Sequence, residues 1–529
     1  MKEIKELKFE ELTIEQKLGL ATTLSLWDGA SDPEGIEFLA ELIKKRALGG
    51  IWMSPREGQN DPYIKKLKEL ADYPLLVFTD AEGGIGEYTI GRHNAIGISD
   101  NEELAYAFGK VVAAHAASRG YNVVCNPVLD MTESNAACGG TTRAYGSDKV
   151  RVAELAAAEA QGMHDGGCLT IGKHYPGKAK GELSDIDSHM APTVSYATKE
   201  DLLDYALYPY MELDKKGLLD GVMLGHGSFA NIDPDYPISL SKQGIEILRE
   251  QGFEGLALTD ALSMMGVVAK FGRKNSIGLA IGNARAMALP FQGSRNKQVM
   301  SWVRECYDEG IITDEALDEA VKRVLAMQHK VLSLPKGVVP TEEELNNFYR
   351  INTDSVFART DDGLSVGLDR NGKYHFAVLT EAGIQGEVHV DTFKGQWYNP
   401  ALIKERLLEY FPNAAVTLLS EFPTASEISK FLSQSLDQET VFITFFMTQA
   451  YVGEERFTPR IISLVKSMQM TNRISTVLHF GNPYLLEDLP HIPRLLVGTI
   501  SSMGVEAGLK VLAGEYPAKG VLTYDVKLK

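Results

Sequence analysis

Between residues 46 and 330, short runs of apolar, β-branched and small residues alternate with longer segments whose apolar positions return every three or four residues. Seven runs read as strands: LGGIWM (48–53), PLLVFTD (74–80), YNVVCNP (121–127), CLTIGKH (168–174), GVMLGH (221–226), GLALTDA (255–261) and AMALPF (286–291). Nearly continuous apolar runs of this length fit strands buried on both faces. The intervening segments, such as ELAYAFGKVVAAHAASRG (103–120) with Gly120 as its stop and VRVAELAAAEAQGMH (150–164), carry helical periodicity. Repeated strand–helix units demand parallel pairing, and their number predicts a closed (β/α)8, TIM-like barrel rather than a short open sheet. With seven runs found, one strand is missing or irregular.

A last helical segment, DEALDEAVKRVLAMQHKV (314–331), ends this half, and LSLPKGVVPTEEE (332–344) has the proline and glycine of a connector. Beyond it FAVLTEAG (376–383), AAVTLLSE (414–421), TVFITFFM (440–447), ISTVLHFG (474–481) and RLLVGTIS (494–501) alternate with helices at 401–410, 425–436 and 503–514. That set is too short for a second barrel and predicts a mostly parallel sheet with helices on both faces. The expected organisation is therefore α/β: a barrel domain over 1–335, a linker over 336–365 and an α/β domain over 366–529.

Composition narrows the function classes. The 529-residue chain is 44% apolar and 23% charged, a globular balance, and holds no run of about eighteen apolar residues to cross a bilayer. A net charge of −18 repels phosphodiester backbones, and no dense Lys/Arg cluster offsets it, so nucleic acid is not an expected partner. The N-terminus MKEIKELKFEELTIEQKLGL lacks the apolar stretch and cleavage site of a signal peptide, which places the protein in the cytoplasm. Cys125, Cys138, Cys168 and Cys306 show no metal or disulfide spacing and read as reduced thiols.

Polar residues at strand ends supply the candidate chemistry, since that rim is where barrel enzymes hold their reacting groups. Asp260 ends GLALTD, where a carboxylate can attack a carbon electrophile or accept a proton; the competing reading is a simple cap on the next helix. Asp187 and His189, two apart, fall on one side of an extended segment, so the carboxylate can orient the imidazole for proton transfer. Against this stand a polar surface loop, or a metal site for which further spaced ligands are missing. Asp80, Arg143, Lys173, His174 and His226 are delivered to the same rim by their own strands, a set able to hydrogen-bond several hydroxyls. Singly, each also reads as a capped turn or surface ion pair.

In order along the chain, DAEGG (80–84), NPVLD (126–130), RAYGSD (143–148), KHYPG (173–177), DSH (187–189), HGSFANIDPDYPISLS (226–241) and LTDALSM (258–264) resemble glycoside hydrolase family 3, most of all its β-N-acetylglucosaminidase branch. FGNPYLL (480–486) and EAGLKVLAGEYPAKGVLTYDV (506–526) extend the resemblance into that family's C-terminal α/β sandwich domain. The resemblance implies an exo-acting, retaining β-N-acetylglucosaminidase acting on a small glycoside without metal or cofactor. Asp260 would be the nucleophile, His189 held by Asp187 the acid/base, and Asp80, Arg143, Lys173, His174 and His226 the grip on the sugar.

Several residues depart from that pattern. Asp187 lies ten residues beyond Gly177, farther than in the branch, and the longer loop brings in Glu182 as a rival acid. IGEY follows EGG in place of an Arg-containing run, and GNARAMAL (282–289) lacks an expected Asp, so the leaving-group subsite is expected to differ. Three alternatives remain: a β-glucosidase with Glu454 or Glu455 as the acid/base, a phosphorolytic enzyme, and a catalytically silent sugar-binding protein.

Overall fold

The computed structural model describes the chain except residues 1–3, 28, 55–57, 135–139, 181–185, 381–399, 447–449 and 452–455. It divides into two compact units. The first comprises Met1–Tyr88, Ala105–Met131 and Lys149–Phe348; the second comprises Thr89–Leu104, Thr132–Asp148 and Tyr349–Lys529.

In the first unit seven strands pair in sequence order, all parallel: β1 (Thr23–Leu26), β2 (Gly50–Met53), β3 (Leu76–Thr79), β4 (Val123–Val124), β5 (Leu169–Tyr175), β6 (Gly221–Leu224) and β7 (Leu256–Thr259). The ring closes through 287–288, where parallel bridges join Leu258 to Met287 and Thr22 to Ala288. Met287 N donates to Ala257 O at 2.8 Å and Thr23 N to Ala288 O at 2.8 Å, so this stave is bonded on both sides although too irregular to form a named strand. The fold is thus a TIM-like barrel followed by a C-terminal α/β domain. The strand absent from the sequence reading is β1. It begins three residues after the helix Ile14–Leu20, and GLATTLSL runs on without a polar break, so periodicity cannot divide it.

Trp52, Phe78, Cys125, Ile171, Met223, Leu258 and Met287, all buried, fill the barrel's interior. Helices around it start on sequence-encoded caps. Thr13 and Gln16 form a reciprocal capping box for Ile14–Leu20, and Asp32 accepts from Gly35 N ahead of Pro33–Lys44 with proline in its first turn. Thr313 caps Asp314–Ser333, whose first turn carries Asp314 and Glu315 where the helix dipole favours anions.

The second unit holds a six-stranded sheet built from β8 (Phe357–Thr360), β9 (Tyr374–Thr380), β10 (Ala415–Ser420), β11 (Glu439–Phe446), β12 (Ile474–Gly481) and β13 (Arg494–Gly498). Its order is β8-β13-β12-β11-β9-β10, with only the β8–β13 pair antiparallel. Alternation in β9 sends Phe376 and Val378 into one buried cluster and Ala377 and Leu379 into another, as expected of a sheet covered on both faces. The stretch 336–365, expected as a linker, contains the helix Glu342–Asp354 and strand β8. Residues 89–104 and 132–148 belong to this unit's packing: Tyr524 Oη donates to Ala144 O at 2.6 Å and Tyr484 Oη to Thr132 O at 2.7 Å.

Candidate active site

Four barrel strands carry polar residues at or just beyond their C-terminal ends. Asp80 follows β3, Lys173 and His174 close β5, His226 follows β6 and Asp260 follows β7. Register keeps the neighbouring segment 126–130 against β5. Ile171 N donates to Asn126 O, Lys173 N to Pro127 O, and Leu129 N to Lys173 O, which brings Asp130 opposite His174.

Lys173 is 2% exposed, and a buried ammonium requires anionic partners. It has two: Nζ lies 2.6 Å from Asp80 Oδ1 and 2.8 Å from Glu82 Oε1. The Asp80 side chain is nearly half exposed, so the buried lysine holds from behind a carboxylate that faces the opening. His174 Nδ1 bonds Asp130 Oδ2 at 2.6 Å. Glu82 and Asp130 sit inside the motifs DAEGG and NPVLD, but the sequence reading gave them no role; only the strand pairing reveals whom they serve.

Asp260 is fixed by its own amide, which donates to Leu224 O at 2.9 Å, while Ala261 N donates to its Oδ1 at 2.6 Å. Burial pushes its pKa up. The positive potential of His174 and His226, the Ala261 amide and His189 together outweigh that, so the group sits below its ordinary value and is ionised near neutrality. His226, 2% exposed, is driven down by burial and, more weakly, by His189 and His174, against the opposing pull of Asp260 and the Ala261 carbonyl. Its Nε2 donates to Ala261 O at 3.0 Å, and its Nδ1 lies 2.8 Å from Ser239 Oγ. Both of its nitrogens are engaged by protein, so it braces the 260–261 turn. Asp233 organises the loop behind it, accepting from Ser241 Oγ at 2.5 Å and from the amides of Asp235 and Tyr236.

The Asp187–His189 pair forms as its spacing predicts. Asp187, 3% exposed, accepts at Oδ1 from both His189 Nδ1 and His189 N at 2.8 Å, and its carbonyl receives the amides of Met190 and Ala191. This turn docks on the start of the helix Met265–Gly282: Met265 N donates to His189 O at 3.2 Å and Gly266 N to Ser188 O at 2.8 Å. A Cβ on Gly266 would stand 2.7 Å from Ser188 O, so glycine is what allows the approach. His189 is thereby brought within electrostatic reach of Asp260 and His226.

The barrel therefore gathers Asp80, Lys173, His174, Asp187, His189, His226 and Asp260. Arg143 lies at the end of the short helix Gly140–Arg143, in a segment that packs with the second unit. Glu182, Glu454 and Glu455 lie outside the described residues. Cys125, Cys168 and Cys306 are buried free thiols; burial, with Asp80 adding, raises the Cys125 pKa well above its usual value. Among the described residues no group of three or more His, Cys, Asp and Glu side chains is disposed to hold a metal ion, and no helix is long and apolar enough to cross a membrane.

A carboxylate ionised at the mouth, a carboxylate-held histidine beside it and a polar wall opposite can perform acid/base-assisted displacement at a carbon centre. Residues 15–327 match the glycosyl hydrolase family 3 N terminal domain, more than half of the chain. The chain belongs to glycoside hydrolase family 3. A β-hexosaminidase of Tolumonas auensis is 30% identical to this family 3 chain over 258 residues, 46% of this chain and 75% of that protein. A solved family 3 β-N-acetylglucosaminidase from Paenibacillus superposes with a TM-score of 0.78 at 22% identity, covering 98% of this chain and all of the other. A β-glucoside phosphorylase bound to 2FGlc gives the same TM-score, 0.78 at 22% identity over 98% of this chain and 95% of its own. At such identities the shared fold does not divide hydrolysis from phosphorolysis.

Proposed function

We propose that this glycoside hydrolase is an exo-acting, retaining β-N-acetylglucosaminidase. Asp260 attacks the anomeric carbon to form a glycosyl-enzyme. His189, oriented by Asp187, protonates the departing oxygen and then takes a proton from the incoming water. Asp80, steadied by Lys173, and His174, steadied by Asp130, take the sugar hydroxyls, while His226 braces the nucleophile's turn.

The observation that carries this reading is the Asp187–His189 pair at 2.8 Å on a turn bonded to the helix that follows Asp260. A histidine donor also suits a site whose other reacting group is an anion, because it adds no second negative charge there. The β-hexosaminidase relative supports the choice of an amino sugar.

Release of p-nitrophenol from the N-acetyl-β-glucosaminide, abolished in Asp260→Ala and slowed in His189→Ala, is the expected result. Turnover of the β-glucoside alone, or Asp260→Ala retaining activity, overturns it. Repeating the reaction in phosphate and analysing for sugar 1-phosphate tests water as the acceptor.

A further inference from the structure

We propose that Asp130 is a positioning residue for the reaction, holding the His174 ring by Nδ1 and so fixing the place from which His174 acts on Asp260. The proposal rests on the reading that Asp260 is the attacking carboxylate.

Three features of the fold converge on Asp130. The pairing of 126–129 with β5 sets it level with His174, and its Oδ2 lies 2.6 Å from His174 Nδ1. The chain then folds back: Gly177 N donates to His174 O at 2.8 Å, and a Cβ on Gly177, whose φ is +79°, would stand 3.8 Å from Asp130 Oδ1. The KHYPG turn thus wraps the carboxylate, and the His174 ring is clasped from one side. An imidazole that gives Nδ1–H to a carboxylate has a fixed tautomer and a fixed plane, with Nε2 directed away from the clasp.

The histidines whose charge acts on Asp260 are His174 from β5, His226 after β6 and His189 from the 187–191 turn. Lys173, Asp80 and Glu82 share the interior, acting with Asp260 on Cys125, and Tyr210 faces Asp130 from behind. Of the charged neighbours, His174 acts most strongly to keep Asp260 ionised. The barrel consequently carries two Asp–His pairs at one mouth. Asp187–His189 handles the proton, and Asp130–His174 sets the field in which the nucleophile works.

The test is a double-mutant cycle on p-nitrophenyl N-acetyl-β-glucosaminide with pH profiles of kcat/KM. Asp130→Ala is expected to lower kcat/KM on the order of tenfold or more, as loss of an outer partner of a working histidine does. The same change made in His174→Ala should add little, because the route through His174 is already cut. The acidic limb should move to higher pH in Asp130→Ala and His174→Ala, since Asp260 loses positive potential. Asp130→Asn, which keeps an oxygen for Nδ1–H, should recover much of kcat/KM.

Additive losses, or a profile and kcat/KM unchanged from wild type, overturn the proposal. Should Asp130→Ala fail to fold by circular dichroism, Asp130→Leu, which fills the space but offers no acceptor to Nδ1, takes its place in the cycle, and an unmoved acidic limb there overturns the proposal. Activity surviving in Asp260→Ala marks failure of the underlying reading; a dead Asp260→Ala with additive Asp130 and His174 losses marks failure of this inference alone.

Discussion

Asp220 and Asp260 occupy opposite ends of neighbouring strands, one immediately before β6 and the other immediately after β7, and the barrel treats them differently. Asp220 is saturated. His164 Nε2 meets its Oδ2 at 2.7 Å, Thr170 N donates to Oδ2 at 3.0 Å, and Lys330 Nζ reaches Oδ1 at 2.8 Å, so a helix, a strand and the barrel's last helix are tied at one carboxylate. Burial pushes its pKa up, yet His164 and Lys330 outweigh it and hold the group at about 2. Among the described residues the Asp260 carboxylate receives one hydrogen bond, from Ala261 N, and against its burial that amide and the three histidines His174, His226 and His189 hold its pKa below the ordinary value. His–Asp contacts of about the same length therefore occur at the floor, where the carboxylate is filled with donors, and at the mouth, beside an Asp260 carboxylate that is not, and under the proposed function the first serves stability and the others chemistry.

That contrast breaks most sharply at the mouth. Asp260→Ala should cut kcat by roughly four to six orders of magnitude, as removal of a nucleophile does, while a thermal melt stays close to wild type. His189→Ala should cost about 10²- to 10⁴-fold in kcat for a glycoside with a poor leaving group, the usual worth of a positioned acid. Its cost should shrink for p-nitrophenyl glycosides, whose leaving group needs less protonation.

At the floor the effect moves from rate to stability. Asp220→Asn should lower unfolding free energy in urea by about 3 kcal/mol, because it breaks a buried pair from one side. Its kcat per folded molecule should match wild type, and a selective loss of kcat would collapse the distinction between the two ends. The smallest effect is pH-linked. The folded-state pKa of Asp220 is depressed, so its contribution is complete above the unfolded value near 4 and disappears as pH falls toward 2. A shift of this size corresponds to about 2 kcal/mol, and Asp220→Asn should flatten the acid limb of a stability-versus-pH curve by that amount.

Much of this was legible beforehand. Repeated strand–helix units predicted a barrel, and the side chains that follow a strand named Asp80, Lys173, His174, His226 and Asp260, because strand ends and barrel mouths coincide physically. Asp187 and His189 were legible from their spacing alone. What escaped depends on contacts remote in sequence. Glu82 and Asp130 acquire meaning only as partners of Lys173 and His174, and both rings of hydrogen bonding around His226 need Ser239 and Ala261 to be in place. Arg143 was expected to be delivered by its own strand, but it ends the short helix Gly140–Arg143, in a segment that belongs to the second unit, a grouping that local periodicity does not encode.

The way the 187–191 turn is fastened has an evolutionary corollary. Its two ties to Met265 and Gly266 run from peptide to peptide and ask nothing of the side chains in the connecting stretch. Residues inserted upstream can accumulate without unmooring the imidazole, whereas position 266 has almost no latitude, since any larger residue would collide with the Ser188 carbonyl. A larger side chain at 266 should therefore displace the imidazole-bearing turn, although that glycine lies far from it in sequence.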